Sequence, residues 1–519
     1  MRKNSRVIWA VGAILVAAGL FYGLWSSNTP DVREIIASYR EDAHYSDITL
    51  EHPLDGTLFP PEMVPPLFRW HDSHPTCRTW LIRIEHPRIA TDYCYLTKRP
   101  SWTPPHEDWE ALKRHTAEQA ARVTILGVRP GRPDPILSEG AMSFETARES
   151  VGAPLFYREV ELPFLEANRH LPRICWRFGS IDSKPPIVLT GLPVCGNCHS
   201  FSADGATLAM DVDYASNKGS YAIADVGRTM ELAARDIITW ADFRGGQTTH
   251  GLLSQISPDG RYVVSTVSDI TVFVAQPDRA FSQTFFPVKG ILCVYDRQTK
   301  RFRSLPGADD PAFVQTNPTW SPDGAHVVFA RAPAADLSQS KHQGEIWLTP
   351  SECKDFVADE EPFRYDLYRI PFNQGLGGQA EPLRGASHNG MSNFFARYSP
   401  DGRWIVFCKA QRFMLLQGDS ELYIIPAGGG AARRLRCNTP RMNSWHSFSP
   451  NGKWLVFASK AYSDFTQLCL THINDTGHST PPVLLSHLTA PDRAANIPEF
   501  VNTDPEAIRS IRPRFLRDH

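Results

Sequence analysis

Cys195-Gly-Asn-Cys198-His199 is the run in this chain with the most chemistry in it. In a C-x-x-C-H run two thiols can bond the vinyl groups of a haem while the following imidazole ligates its iron, which is the attachment signature of c-type haem. With 10 Cys and 18 His in 519 residues, such a run arises by chance in roughly one of 150 chains of this composition. Two other readings stay open beside covalent haem. The thiols can close a disulfide or act as an exposed redox dithiol, or His199 can share a metal ion with a second histidine. The segment His199-Ser-Phe-Ser recurs as His446-Ser-Phe-Ser without cysteines. The recurrence makes His446 the first candidate for a distal iron ligand, ahead of His250, His388 and Met210. It equally allows both histidines to belong to a structural repeat.

The remaining chemistry is defined by what is missing. There is no G-x-S-x-G elbow, H-E-x-x-H pair, phosphate-binding loop or dinucleotide fingerprint, so neither hydrolysis nor nucleotide chemistry is expected. Carboxylate pairs at Asp211/Asp213 and Asp309/Asp310 read as strand-end and turn residues. An oxidising compartment would allow some cysteines to pair, Cys77 with Cys94 for example, whereas Cys408 and Cys469 lie inside apolar strands and read as core. Lys and Arg number 54 against 56 Asp and Glu, a formal charge of -2, which gives nucleic acid no basic surface to bind.

The elements that must position these residues begin at an apolar stretch. Arg2, Lys3 and Arg6 precede an uncharged run from Val7 to Trp25, about long enough to cross a bilayer. The basic flank predicts a single-pass anchor over 1–29 in the cytoplasmic membrane, uncleaved, with the bulk of the chain periplasmic. Residues 30–44 read as a linker. Period-two runs from 45 to 190 predict an all-β, sandwich-like domain that resembles fibronectin type III or other immunoglobulin-like folds. One short helix is expected around Trp109–Arg122.

From residue 191 to 505 the chain repeats itself, with 506–519 left as a C-terminal tail. Five turns match, at Ser202-Ala-Asp-Gly205, Ser257-Pro-Asp-Gly260, Ser321-Pro-Asp-Gly324, Ser399-Pro-Asp-Gly402 and Ser449-Pro-Asn-Gly452. Strands such as Trp404-Ile-Val-Phe407 and Trp454-Leu-Val-Phe457 follow. Proline presets φ, Asp or Asn caps the turn, and glycine takes the positive φ. The pattern resembles the repeats of TolB and related exported β-propellers, and the C-x-N-C-H-S-F element resembles a subgroup of them. That resemblance implies a propeller of six blades, the sixth assembled from 180–194 with Asn496–Val501. It also implies that each inner strand ends in the turn and lines a central channel. The residues just before those strands then converge on one mouth: His250, Asn317, His388, Asn393, Asn443 and Trp445, beside His199 and His446. A protein, peptide or glycan is the expected occupant, which makes the chain a binding or scaffold module; a haem c electron-transfer protein is the alternative.

Overall fold

The computed structural model describes residues 31–129, 135–162, 170–192, 198–215, 217–275, 283–335 and 362–517, together with Ala167 and the pair 347–348. The expected anchor over 1–29 lies outside these residues. Among the described residues no helix is long and apolar enough to cross a membrane. The expected linker contains a helix, Val32–Ser38, whose first turn is capped by Asp31 accepting from Arg33 N at 2.8 Å. The chain divides into two compact units, one ending at Thr146 and one running from Ala147 to the C-terminus with Leu58–Val64 added.

In the first unit the strands follow one hydrogen-bonded path, not two separate sheets. The order is Tyr93–Thr97, Thr79–Glu85, Ala121–Val128, Ile136–Thr146, Ser46–His52, Phe68–Asp72 and Ser101–Trp102. Neighbours are antiparallel except where Ser46 and Asp47 run parallel to Ser138 and Glu139. The expected helix spans His106–Thr116, and its buried Trp109 meets Phe144 at 5.6 Å. Residues 121–128 are strand, so the helix stops earlier than the spacing suggests.

The second unit is built from four-stranded antiparallel meanders, and the turn motif fixes where each begins. In all five repeats the turn serine hydroxyl bonds the Asp or Asn side chain at 2.5–2.6 Å. The same carboxyl or amide oxygen accepts the backbone N–H after the glycine, and the glycines hold φ between 69° and 71°. Each turn therefore satisfies its own polar groups, and the chain reverses from an innermost strand into the second strand of the sheet. The innermost strands are His199–Phe201, Leu252–Ile256, Phe313–Trp320, Ser392–Tyr398 and Asn443–Phe448. The second and third meanders join into one larger sheet where Gly290 pairs with Val314.

A sixth four-stranded sheet closes the series. Ala494–Phe500, near the C-terminus, supplies its innermost strand and pairs with Leu155–Val160, followed by Cys175–Gly179 and Ile187–Thr190. This corrects two boundaries. Residues 155–190 belong to this second unit and not to the N-terminal domain, because their edge is completed by the end of the chain. The expected tail is also part of the fold: Ser510–Pro513 pairs in parallel with Thr229–Leu232, and Phe515 is buried.

The six innermost strands touch in order, first to second through fifth to sixth. Phe201 N closes the circle by donating to Glu499 Oε1 at 3.2 Å, and Asn502 Nδ2 donates to Ala203 O at 3.0 Å. The second unit is a β-propeller. Its core lies between successive sheets, as where Phe407, Leu455 and Phe457 are all fully buried in one cluster.

Candidate functional site

Counting back from the turn serine aligns the inner strands residue by residue. Four places before it stand Cys198, Leu253, Asn317, Phe395 and Trp445, and Ile497 occupies the same place in the sixth strand. The last five share φ between 51° and 56°, and at each of them the strand register slips. A left-handed residue is unusual outside glycine, so five at one height mark a bulge that the closed ring imposes. Cys198, Leu253, Phe395 and Trp445 of this row form an apolar belt. Phe395 and Trp445 lie with ring centroids 4.6 Å apart, and Cys198 and Trp445 pack against the cluster that contains Leu253 and Phe395.

Two places before the turn stand Ser200, Gln255, Thr319, Arg397, Ser447 and Glu499, and these tie neighbouring strands together. Ser200 Oγ accepts Ile256 N at 3.0 Å, Ser447 Oγ accepts Phe500 N at 3.3 Å, and Arg397 Nη1 donates to Thr319 Oγ1 at 3.3 Å. Each such bond is worth about 1 kcal/mol net. Together they hold the circle at the level where the channel opens. The opening is a funnel of about 410 Å³ to which all six inner strands contribute. Its floor carries Gln255, Thr319, Arg397, Ser447 and Glu499, and its collar carries Trp320, Tyr398, Phe448, Phe500 and the turn prolines.

Arg397 governs the electrostatics of the floor. Its charge is felt at Cys198 on the first inner strand, His446 on the fifth and Glu499 on the sixth. The guanidinium, bonded to Thr319 on the third inner strand, is thus within electrostatic reach of the first, fifth and sixth. Burial lowers its affinity for its proton, and Glu499 opposes that. Burial pushes the Glu499 carboxyl up to about 7, with Arg397 and the Phe201 N–H pulling the other way. Deeper in, burial raises Asp211 well above the ordinary carboxylate range against the hydrogen bond it shares with the Cys198 thiol. Burial, with Asp211 next, raises Cys198 in turn. Near neutrality the channel thus sets a full guanidinium charge against carboxyls biased toward their neutral forms, an arrangement that favours an incoming anion.

The residues expected at the mouth are placed differently. Cys195 lies outside the described residues. His199 is buried edge-on to Phe156 of the sixth sheet, centroids 4.7 Å apart. His446 is buried with Nε2 3.0 Å from Val406 O of the fourth sheet, and burial pushes its imidazole down to about 3. The two equivalent histidines thus both engage the preceding sheet. His250 is buried on Asp269, Nδ1 to Oδ2 3.1 Å, whereas His388 is exposed on Asp366 at the same distance. His199 and His446 share one kind of environment and His250 and His388 occupy two others, which corrects the expectation of a shared histidine mouth. Asn393 and Asn443 are loop clamps. Asn443 Oδ1 accepts from Thr439 N and Oγ1, and its Nδ2 donates to Ser420 O and Thr439 O. Asn393 bonds Tyr365 O, Met391 O and Asn389. Asn317 Oδ1 accepts Phe395 N at 2.7 Å and ties two inner strands. Trp445 stands in the same row as Asn317 and packs into the apolar belt. Among the described residues no group of three or more His, Cys, Asp or Glu is arranged to hold a metal ion.

Asp211, Arg397 and Glu499 are the ionisable residues that sequence reading missed as a set. The available signal was the charge in Arg397-Tyr-Ser-Pro and Glu499-Phe-Val, two places before the turn position, where the other strands carry Ser, Gln or Thr.

No family model and no curated protein matches this chain. The structural neighbours are TolB-like β-propeller proteins. TolB from Acinetobacter baumannii is 14% identical with a TM-score of 0.41, over 73% of this chain and 79% of that one. A TolB from Agrobacterium tumefaciens is 14% identical with a TM-score of 0.34, over 67% and 98%. Kuenenia stuttgartiensis hydrazine synthase is 14% identical with a TM-score of 0.30, over 56% and 79%.

Proposed function

We propose that this protein is a binding module whose ligand enters the funnel at the turn end of a six-bladed propeller and is met there by Arg397. The observation that carries the reading is the convergence of all six inner strands on one cavity with the Arg397 guanidinium in its lining. A collar of aromatic rings and prolines supplies apolar contact, and a buried cation gives an anionic group a specific place to end. The apolar belt beneath, with Phe395 against Trp445, sets the depth a ligand can reach. The uncharged run at Val7–Trp25 supports an anchored, extracytoplasmic protein, the setting in which haem attachment at Cys195 and Cys198 would also occur.

The test is capture of ligand from the membrane and soluble fractions of the source cell by immobilised protein. Arg397→Met should lose the captured species while Leu376→Ser, at a residue 70% exposed, should keep it, both melting near wild type. Capture that survives Arg397→Met removes the reading. The haem question is settled by a pyridine haemochrome spectrum of protein matured with c-type attachment factors: a spectrum unchanged by Cys198→Ser rules out attachment as written.

A further inference from the structure

A second cavity, about 550 Å³, lies between the third and fourth sheets on the same turn face. It shares Pro322, Tyr398 and Pro400 with the funnel. The funnel and this groove therefore adjoin across a wall made by those three residues. The groove carries Asp323 next to the shared Pro322, His326 at the start of the second strand of the third sheet and Arg369 on its third strand. Arg369 Nη1 donates to Ala427 O at 3.2 Å, which holds the guanidinium at the groove side. Asp323 is fixed by Ser321 Oγ and Ala325 N and has no ion-pair partner among the described residues. Asp401, by contrast, is neutralised by Arg403 at 2.5 Å.

The geometry points to a linear peptide whose C-terminal carboxylate seats on Arg397 and whose preceding residues run out along this groove, with a basic side chain reaching Asp323. The inference rests on the funnel reading and adds the class and direction of the ligand. A central cavity with a second one adjoining it suits an extended chain more than a compact solute. A cation in the funnel suits a single terminal carboxylate, and the Asp323 carboxylate beside the shared wall suits a basic side chain just upstream of it. A neutral glycan would leave Arg397 with nothing to pair.

The probe is a display library of random decapeptides in two formats, one with free C-termini and one with C-termini blocked by fusion, panned on the full chain. Enrichment is expected only in the free format, with a basic residue upstream of the end. The selected peptide should lose at least tenfold in affinity on Arg397→Met and about fivefold on Asp323→Asn. The second loss should vanish for a truncated peptide that lacks the basic residue. Asp323→Asn keeps the turn intact, since Asn451 serves in the same place in the fifth repeat. Equal enrichment in both formats overturns the orientation. Binding that responds to Arg397→Met but not to Asp323→Asn overturns the groove and leaves the funnel standing. Enrichment in neither format, with Arg397-dependent capture still seen from cell fractions, overturns the peptide class.

Discussion

Replacing Glu499 by glutamine isolates the cost of a carboxylate inside the ring. The folded carboxyl titrates near 7, while an unperturbed glutamic acid titrates near 4.5. The shift is upward, so the native state holds its proton longer than the unfolded chain does. Stability is then full below about pH 4.5 and is lost as pH rises through 7. At about 1.4 kcal/mol per unit, the shift corresponds to roughly 3 kcal/mol above pH 8, and water entering the funnel makes this an upper bound. Glutamine mimics the protonated form and keeps an oxygen for the Phe201 N–H. Glu499→Gln should therefore match wild type at pH 5 and exceed it at pH 8.5. At about 2.1 cal/mol/K of unfolding entropy per residue, the second unit converts 3 kcal/mol into roughly 4 °C of Tm. Differential scanning calorimetry at the two pH values reads this directly. A difference that is the same at both pH values, or a variant less stable at pH 8.5, would show that Glu499 is ionised comfortably against Arg397 and that the floor is not biased toward anions.

Other expectations concern residues whose roles the fold decides. Asn443→Ala should cost about 2–3 kcal/mol in denaturant unfolding, because its side chain satisfies four loop groups and alanine leaves buried donors and acceptors unmade. His446 has a folded pKa near 3 against 6.5 unfolded, so its contribution is complete above pH 6.5 and declines as pH falls toward 3. About 4–5 kcal/mol is at stake, and His446→Gln should flatten the acid limb of the stability curve; an acid limb of unchanged slope would count against a buried neutral imidazole. The Cys198 thiol, raised by burial and Asp211, should resist iodoacetamide at pH 8 in the native protein and react promptly in urea. Rapid native alkylation would instead support an exposed redox dithiol.

The repeat was legible because each turn satisfies itself locally: serine, Asp or Asn and glycine stand in four consecutive positions, so sequence and structure agree without help from the rest of the chain. The closing sheet was only half legible. Its C-terminal strand was located to within a few residues and 180–194 does supply its outer strand, Ile187–Thr190, but the two strands between, Leu155–Val160 and Cys175–Gly179, were missed, because pairing between the two ends of a propeller leaves no local mark. The bulge residues were invisible for a related reason. Nothing in Leu253, Phe395, Trp445 or Ile497 favours a positive φ, which the ring imposes from outside. The polar residues before each inner strand are read in the sequence as lining a shared binding mouth. Asn393 and Asn443 are polar instead because buried loops need their backbone groups bonded. That difference moved the candidate site from one end of the inner strands to the other.

Hydrogen exchange with and without bound ligand tests that placement. With ligand present, slowing should fall on the segments around 201–203, 256–258, 319–322, 397–400, 447–450 and 499–502, which surround the funnel. Slowing confined to 388–393 and 439–445, the approaches to the inner strands, would contradict the account.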